Sequence, residues 1–185
     1  MSRLQIFEDT NPETALVDTI DGAAIAAELK KIDVRFERWA ADAELPADAD
    51  DNAVLQAYAK DIERIKAEGG YTTVDILRVT KDFENKKAIR EKFLNEHTHS
   101  EDEVRFFVEG SGMFYLRVGG KVYMTLCTAG DLISVPYGIT HWFDMSDSPH
   151  ITAIRFFENT EGWTPNFTGT DIAQQFPKYE KDAAA

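Results

Sequence analysis

Apolar and polar residues alternate in short runs from residue 71 onward: YTTVDILRV, EVRFFV, GMFYLRV, KVYMTL, DLISVP and HITAIRFF, each bounded by turn residues. This two-residue period predicts β-strands over 71–158, because alternate side chains of a strand share one face. Gly119-Gly120 between FYLRV and KVYMTL predicts a two-residue hairpin, and Gly110-Ser111-Gly112 predicts another turn. Antiparallel strands at such spacing must dispose of their edges, so a barrel or jelly roll is the expected architecture.

The first third of the chain follows a different period. Ile25, Leu29 and Ile32 recur at helical spacing after Asp21, a candidate cap, and VRFERW at 34–39 then reads as extended. A second helix is predicted over 52–66, where Val54, Leu55, Tyr58, Ile62 and Ile65 form one apolar stripe that EGG ends. After the strands, EGWTPNFTGTDIAQQFPKYEK reads as an irregular wrap with at most one short helix. The expected class is mainly β with peripheral α: an antiparallel barrel or jelly roll with N-terminal helices. All 185 residues are read as a single domain, with a mixed part over 1–70, the β core over 71–158 and the wrap over 159–185. There are no internal repeats, and the low-complexity pieces are ADAELPADADD at 41–51 and the alanine tail.

Composition narrows the partners. A formal net charge of −13 repels phosphate backbones and anionic headgroups, so neither nucleic acid nor a membrane surface is expected as a partner. An anionic substrate would need local positive charge at its site. No apolar run approaches the ~20 residues that span a bilayer, and the N-terminus lacks the basic and apolar segments of a leader, so a cytoplasmic location is expected. The single cysteine, Cys127, cannot form an internal disulfide.

The stretch NEHTHSEDEVRFF concentrates the chemistry. In an extended chain His97, His99, Glu103, Arg105 and Phe107 fall on one parity, and Val104, Phe106 and Val108 on the other. An isolated histidine is more often a surface or core residue than a ligand, and HxH alone is a modest signal. Here a carboxylate follows, and GDLISVPYGITHWF supplies His141 just after a Pro136 and Gly138 turn that can aim it inward. Three imidazoles and one carboxylate suit a divalent iron, nickel, manganese or copper ion with positions left open for substrate. A closed structural zinc site would favour thiolates, which one cysteine cannot provide. His150 reads as a surface or strand-edge residue. Neither a G-x-S-x-G elbow nor a glycine-rich phosphate loop occurs.

These residues carry a resemblance. HTHSEDEVRFFVEG is similar to the first cupin motif, with HxH, Glu103 and Gly110 in place, and GDLISVPYGITH to the second, with Gly130, Pro136, Gly138 and His141. Glu91 and Met145 stand where the motifs usually have glycine and asparagine. With KAIREKFLNEHTHSEDEVRFFVEGSG, DLISVPYGITHWFDM, TAIRFFENTEGW and VRFERW, the chain resembles the bacterial acireductone dioxygenases, cupins of methionine salvage, along essentially its whole length. The resemblance implies a cupin-type barrel holding one Fe(2+) or Ni(2+) per chain on His97, His99, Glu103 and His141. Arg105 would hold the substrate dianion, and Phe93, Phe143 and Trp163 would shape a pocket for a methylthio tail. Glu96 and Asp102, which read as solvated turn acids from the sequence itself, would take supporting roles. The implied partners are acireductone and O2, the expected state is a monomer, and the implied products depend on the metal: formate and 2-keto-4-methylthiobutyrate with iron, or formate, carbon monoxide and 3-methylthiopropionate with nickel. The rival readings are another cupin of the same ligand set, such as a manganese oxalate enzyme, and a non-catalytic cupin that binds metal or a small molecule.

Overall fold

The architecture is organised by one long strand, β6 in chain order (Glu103–Val118), which belongs to two sheets at once. In the computed structural model, which describes residues 1–40, 43, 45–46, 49–159 and 164–180, its first half pairs with β8 (Asp131–Val135) and β10 (Ile151–Phe157). Its second half pairs with β7 (Lys121–Thr128) and β9 (Thr140–Asp144). Gly110, at φ 78°, marks the change of partners. The predicted Gly110-Ser111-Gly112 turn is therefore a bend inside a continuous strand, just after a register shift that skips Val108 in the ladder with β10, and glycine reaches the left-handed region there at little cost.

The remaining strands extend these two sheets. β4 (Thr73–Val79) adds to β10, and β3 (Arg35–Arg38) to β8. On the other sheet β1 (Arg3–Glu8) adds to β7 and β2 (Val17–Thr19) to β1, while β5 (His97–Thr98) and β11 (Asn166–Phe167) extend β9. All pairs are antiparallel, as expected of a jelly roll. Among the described residues the ladder is not closed, so the barrel is two packed sheets with β4 and β3 on the edges of one, β11 and β2 on the edges of the other. The periodicity missed β1 and β2, whose runs are short and interrupted by polar residues.

Strand parity distributes the burial as the alternation predicts. Between the sheets lie Leu4, Ile6, Phe107, Phe114, Leu116, Ile133, Val135 and Phe143, joined by Ile25 and Leu29 of helix α1 (Gly22–Lys30), which Asp21 caps. The opposite face of β6, Val104 and Phe106, packs under α2 (Asp51–Ala57) and α3 (Ala59–Gly69). These two helices replace the single one predicted over 52–66. The break falls at Tyr58 (φ −105°, ψ 14°), whose ring is buried against Phe106 at 4.9 Å. Gly70 in the left-handed region ends α3, as EGG anticipates. A third core, with Phe7, Tyr115, Val122 and Trp142, is covered by Ile172 and Phe176 of the C-terminal segment, which contains one 3-10 turn (Ile172–Gln174). Helix α4 (Lys86–Phe93), unread in the sequence because charge dominates its pattern, packs beside β9 and is tied there by Arg90, which donates to Asp144 at 2.7 and 3.0 Å.

The bend gives a direct stability test. A Cβ at Gly110 would lie 1.5 Å from the carbonyl oxygen of His150, whereas at Gly120, also with positive φ, it would meet open space. Gly120→Ala is expected to cost about 1 kcal/mol, the left-handed penalty alone, and Gly110→Ala on the order of 3 kcal/mol or more, because backbone must also move. Urea denaturation of both variants measures the difference, and equal costs would refute the steric account.

Candidate metal centre

Each strand end places one side chain. β5 is only two residues long, but it sets His97 directly opposite His141 of β9. Glu103 begins β6 on the facing sheet, and the short loop between them carries His99. The four side chains bring their ligand atoms within 4.8 Å of one another, and none is more than 4% exposed. Cys127 is buried elsewhere on β7 and takes no part in the group.

The imidazoles are oriented from behind. His97 Nδ1 donates to the carbonyl of Asn95 at 2.6 Å and His141 Nδ1 to that of Ile139 at 2.8 Å. A carbonyl only accepts, so both rings are protonated at Nδ1 and present Nε2 inward. His141 Nε2 then faces Glu103 Oε2 at 2.9 Å, and His99 Nε2 lies 3.3 Å from the same oxygen. A lone pair opposite a buried carboxylate oxygen calls for a shared cation, so this donor set fits a divalent ion.

Electrostatics prepares the group in its ligating form. Burial, then the neighbouring charge of His141, pulls His97 from 6.5 down to about 4. Burial alone would raise Glu103, but the Arg105 guanidinium holds it well below the usual carboxylate range. Arg105 Nη2 lies 2.5 Å from Glu103 Oε1, and its guanidinium carbon stands 4.6 Å over the Phe143 ring and 5.5 Å over that of Phe114. Gly112 makes this stack possible, since a Cβ there would lie 2.3 Å from the Phe143 ring. The Arg105 cation is thus fixed by one charge and two π-faces, all buried.

The turn before His141 is tied to the HxH loop. Gly138 N–H donates to the carbonyl of His99 at 3.0 Å, and Tyr137 N–H to Asp102 at 2.9 Å. Asp102 also accepts from the Tyr71 hydroxyl at 3.0 Å. Burial and Asp102 push that phenol up to about 12, so it remains a donor. Tyr137 and Gly138 of the second motif therefore hold the ligand-bearing segments together.

The other expected residues fall differently. Phe143 is buried, and Phe93 is half-buried with its ring 6.1 Å from that of His97. Trp163 lies outside the described residues. Glu96 is no solvated turn acid: it is 2% exposed and accepts from the hydroxyls of Thr168 and Thr170, both at 2.5 Å. Its position inside an acidic run gave no sign of this, because the threonines that desolvate it are more than seventy residues away. His150 is exposed and paired with Glu109, as a strand-edge residue should be. Phe167 went unread: as the cross-strand partner of His97, its ring lies 6.0 Å from that imidazole. No periodicity marks so short a strand, and PNFT could only have been read as loop.

This ordered set of motifs matches a family model described as the ARD/ARD′ family over residues 3–165. The chain belongs to the ARD/ARD′ family. Its similarity to other members is extensive: the acireductone dioxygenase of Parvibaculum lavamentivorans is 56% identical over 182 residues, covering 98% of this chain and 99% of that protein. That of Stenotrophomonas maltophilia strain K279a is 56% identical over 97% of both. Among solved structures, the acireductone dioxygenase from Bacillus anthracis with cadmium ion in its active center matches with a TM-score of 0.81 at 29% identity, covering 90% of this chain and 98% of that one. The open jelly roll of this chain is thereby a cupin-type fold shared with a solved acireductone dioxygenase.

The His97 shift predicts a pH dependence of the metal-free ARD chain. Between 6.5 and about 4 the unfolded chain binds a proton that the folded His97 site refuses, so stability falls as pH is lowered through that window. The loss should reach about 2 kcal/mol at about pH 5. Glu103 acts in the same direction at lower pH, because its stabilisation is lost as pH falls below the ordinary carboxylate value of 4.5. Denaturant titrations of metal-free protein at about pH 7.5 and about pH 5 measure the slope, and His97→Gln should flatten it. An unchanged slope in that variant would remove His97 as the cause.

Proposed function

We propose that this ARD-family protein is a metal-dependent acireductone dioxygenase that cleaves 1,2-dihydroxy-3-keto-5-methylthiopentene with O2, holding one Fe(2+) or Ni(2+) on His97, His99, Glu103 and His141. The observation that carries the reading is the buried group of three imidazoles and a carboxylate with Arg105 locked onto that carboxylate at 2.5 Å, in a chain of this family. A divalent ion bound by these four residues would supply Lewis acidity to the enediol.

The chain's own residues do the rest. Arg105 is a fixed cation beside the metal group, so it favours loss of the enediol protons and holds the resulting dianion against the repulsion of an acidic protein. Glu103 keeps its charge through the guanidinium, and the backbone carbonyls of Asn95 and Ile139 keep the two rings from turning away. Phe143 and Phe93 border the site with apolar surface suited to a methylthio tail and poor for water. Trp163 joins them on the strength of the family motif, and Glu96 and Asp102 support the site by fastening the segments around it. With iron held there the products would be formate and 2-keto-4-methylthiobutyrate, and with nickel formate, carbon monoxide and 3-methylthiopropionate, within methionine salvage. We place the protein in the cytoplasm as a single-domain monomer with no nucleic-acid or membrane partner. Its charge of −13 speaks against nucleic acid and anionic membrane surfaces as partners, and the monomer rests on that acidic surface and the family resemblance.

The test is metal removal under anaerobic conditions, reconstitution with iron or nickel separately, and product analysis after acireductone and O2 are added. Distinct product sets are expected, and oxygen uptake with oxalate but not acireductone would overturn the assignment. His141→Ala should lower metal occupancy sharply. Arg105→Met should leave metal bound and reduce turnover by about a hundredfold or more, and full activity in that variant would remove its role.

A further inference from the structure

We propose that Phe167 is a specificity-determining residue: a strap fastened by Glu96 holds its ring over the metal group, where it packs against the apolar tail of the substrate. The inference rests on the acireductone reading above and adds to it a residue and the element that positions it.

Phe167 is a large apolar side chain left 52% exposed, and it joins none of the three apolar cores. It is nevertheless tightly placed. Its pairing with His97 puts the two side chains on the same face of the sheet, with the rings 6.0 Å apart at 70°. Phe93 approaches the same imidazole at 6.1 Å. Two half-exposed or half-buried phenyl rings therefore flank one ligand-group imidazole whose nitrogens are already committed, Nδ1 to Asn95 and Nε2 inward. Neither ring can hydrogen-bond to it, so what they offer is apolar contact beside the cluster.

The holding of this segment exceeds what a two-residue strand needs. Thr168 N–H donates to the Glu96 carbonyl at 3.1 Å, and the Thr168 and Thr170 hydroxyls both donate to its carboxylate at 2.5 Å. Arg117 approaches the other carboxylate oxygen at 3.4 Å and is itself held by Asp9 at 2.9 Å. A buried carboxylate serving two hydroxyls and a guanidinium fixes the residue beside them, and that residue is an exposed phenyl ring. An apolar ring kept rigid in water next to a polar centre has a use when a ligand covers it, and a thioether is well suited, since sulfur packs favourably at an aromatic edge.

The experiment uses full-length protein loaded with nickel. It compares acireductone with an analogue keeping the enediol ketone head but carrying a methyl group in place of the methylthioethyl tail. Anaerobic titration gives binding of each, and turnover with O2 gives KM and kcat. Phe167→Ala should retain its metal and lose about fivefold to tenfold of the preference for the tailed compound, through Kd and KM rather than kcat. Phe167→Leu should restore part of it, and the Thr168→Val/Thr170→Val double variant should shift the preference in the same direction. An equal loss for both compounds, or an unchanged preference in Phe167→Ala, overturns the proposal. Wild-type protein that binds the tailed compound preferentially without turning it over would sink the assigned activity, and a Kd preference lost in Phe167→Ala would then still support Phe167. Wild-type protein binding neither compound would overturn both.

Discussion

The buried carboxylate of Glu103 is the constraint on which the rest depends. A charge 2% exposed between two sheets is untenable alone: Arg105 answers it at 2.5 Å, while His141 at 2.9 Å and His99 at 3.3 Å bring imidazole nitrogens to its other oxygen, where a cation is shared. Those partners are charged or polar in turn, so they carry further requirements. Arg105 needs the π-faces of Phe143 and Phe114, and Phe143 needs the missing side chain of Gly112. A chain of necessities thus runs from one carboxylate into both sheets, and a divalent ion joins the same balance.

Strand β6 makes that chain short. Glu103 and Arg105 lie on its first half and Phe114 on its second, so the bend at Gly110 folds the strand until its own arginine stacks on its own phenylalanine. Pairing of the first half with β8 and β10 and of the second with β9 then fixes the distance between the sheets at the place where the ligands meet. Fold and site share one set of hydrogen bonds here, so damage at Gly110 reaches the metal group without touching a ligand.

This explains what the sequence made legible. Period-two alternation reveals which residues share a face, and it set Glu103 and Arg105 together on the inner surface of β6, but His97 and His99 reach them from β5 and a loop, across a break in the strand that parity does not describe. Parity is local, however, and cannot tell whether a glycine ends a strand or bends it. Gly110 read as a turn because its role depends on His150, forty residues away, pressing against its Cα. Tyr58 likewise splits a helix that looks continuous, because Phe106 draws its ring inward. β11 and Phe167 were invisible for the same reason: two residues have no period, and their placement comes from pairing with β5.

The acids tell the other half. Read along the chain they look like surface charge, yet several fasten irregular segments around the site. Glu96 holds residues 168 and 170, Asp102 holds the turn before His141, and Glu101 accepts the N–H groups of Glu158 and Asn159. Asp144, fully buried, gathers Arg90 of α4 with the N–H groups of Ser146 and Tyr179. Backbone outside helices and sheets leaves donors that must be satisfied, and a carboxylate accepts several at once. Part of the protein's acidity therefore works as connective structure. Its cost is a field hostile to an anionic substrate, and Arg105, the one buried arginine or lysine among the described residues, is where the protein's own charge offsets that field.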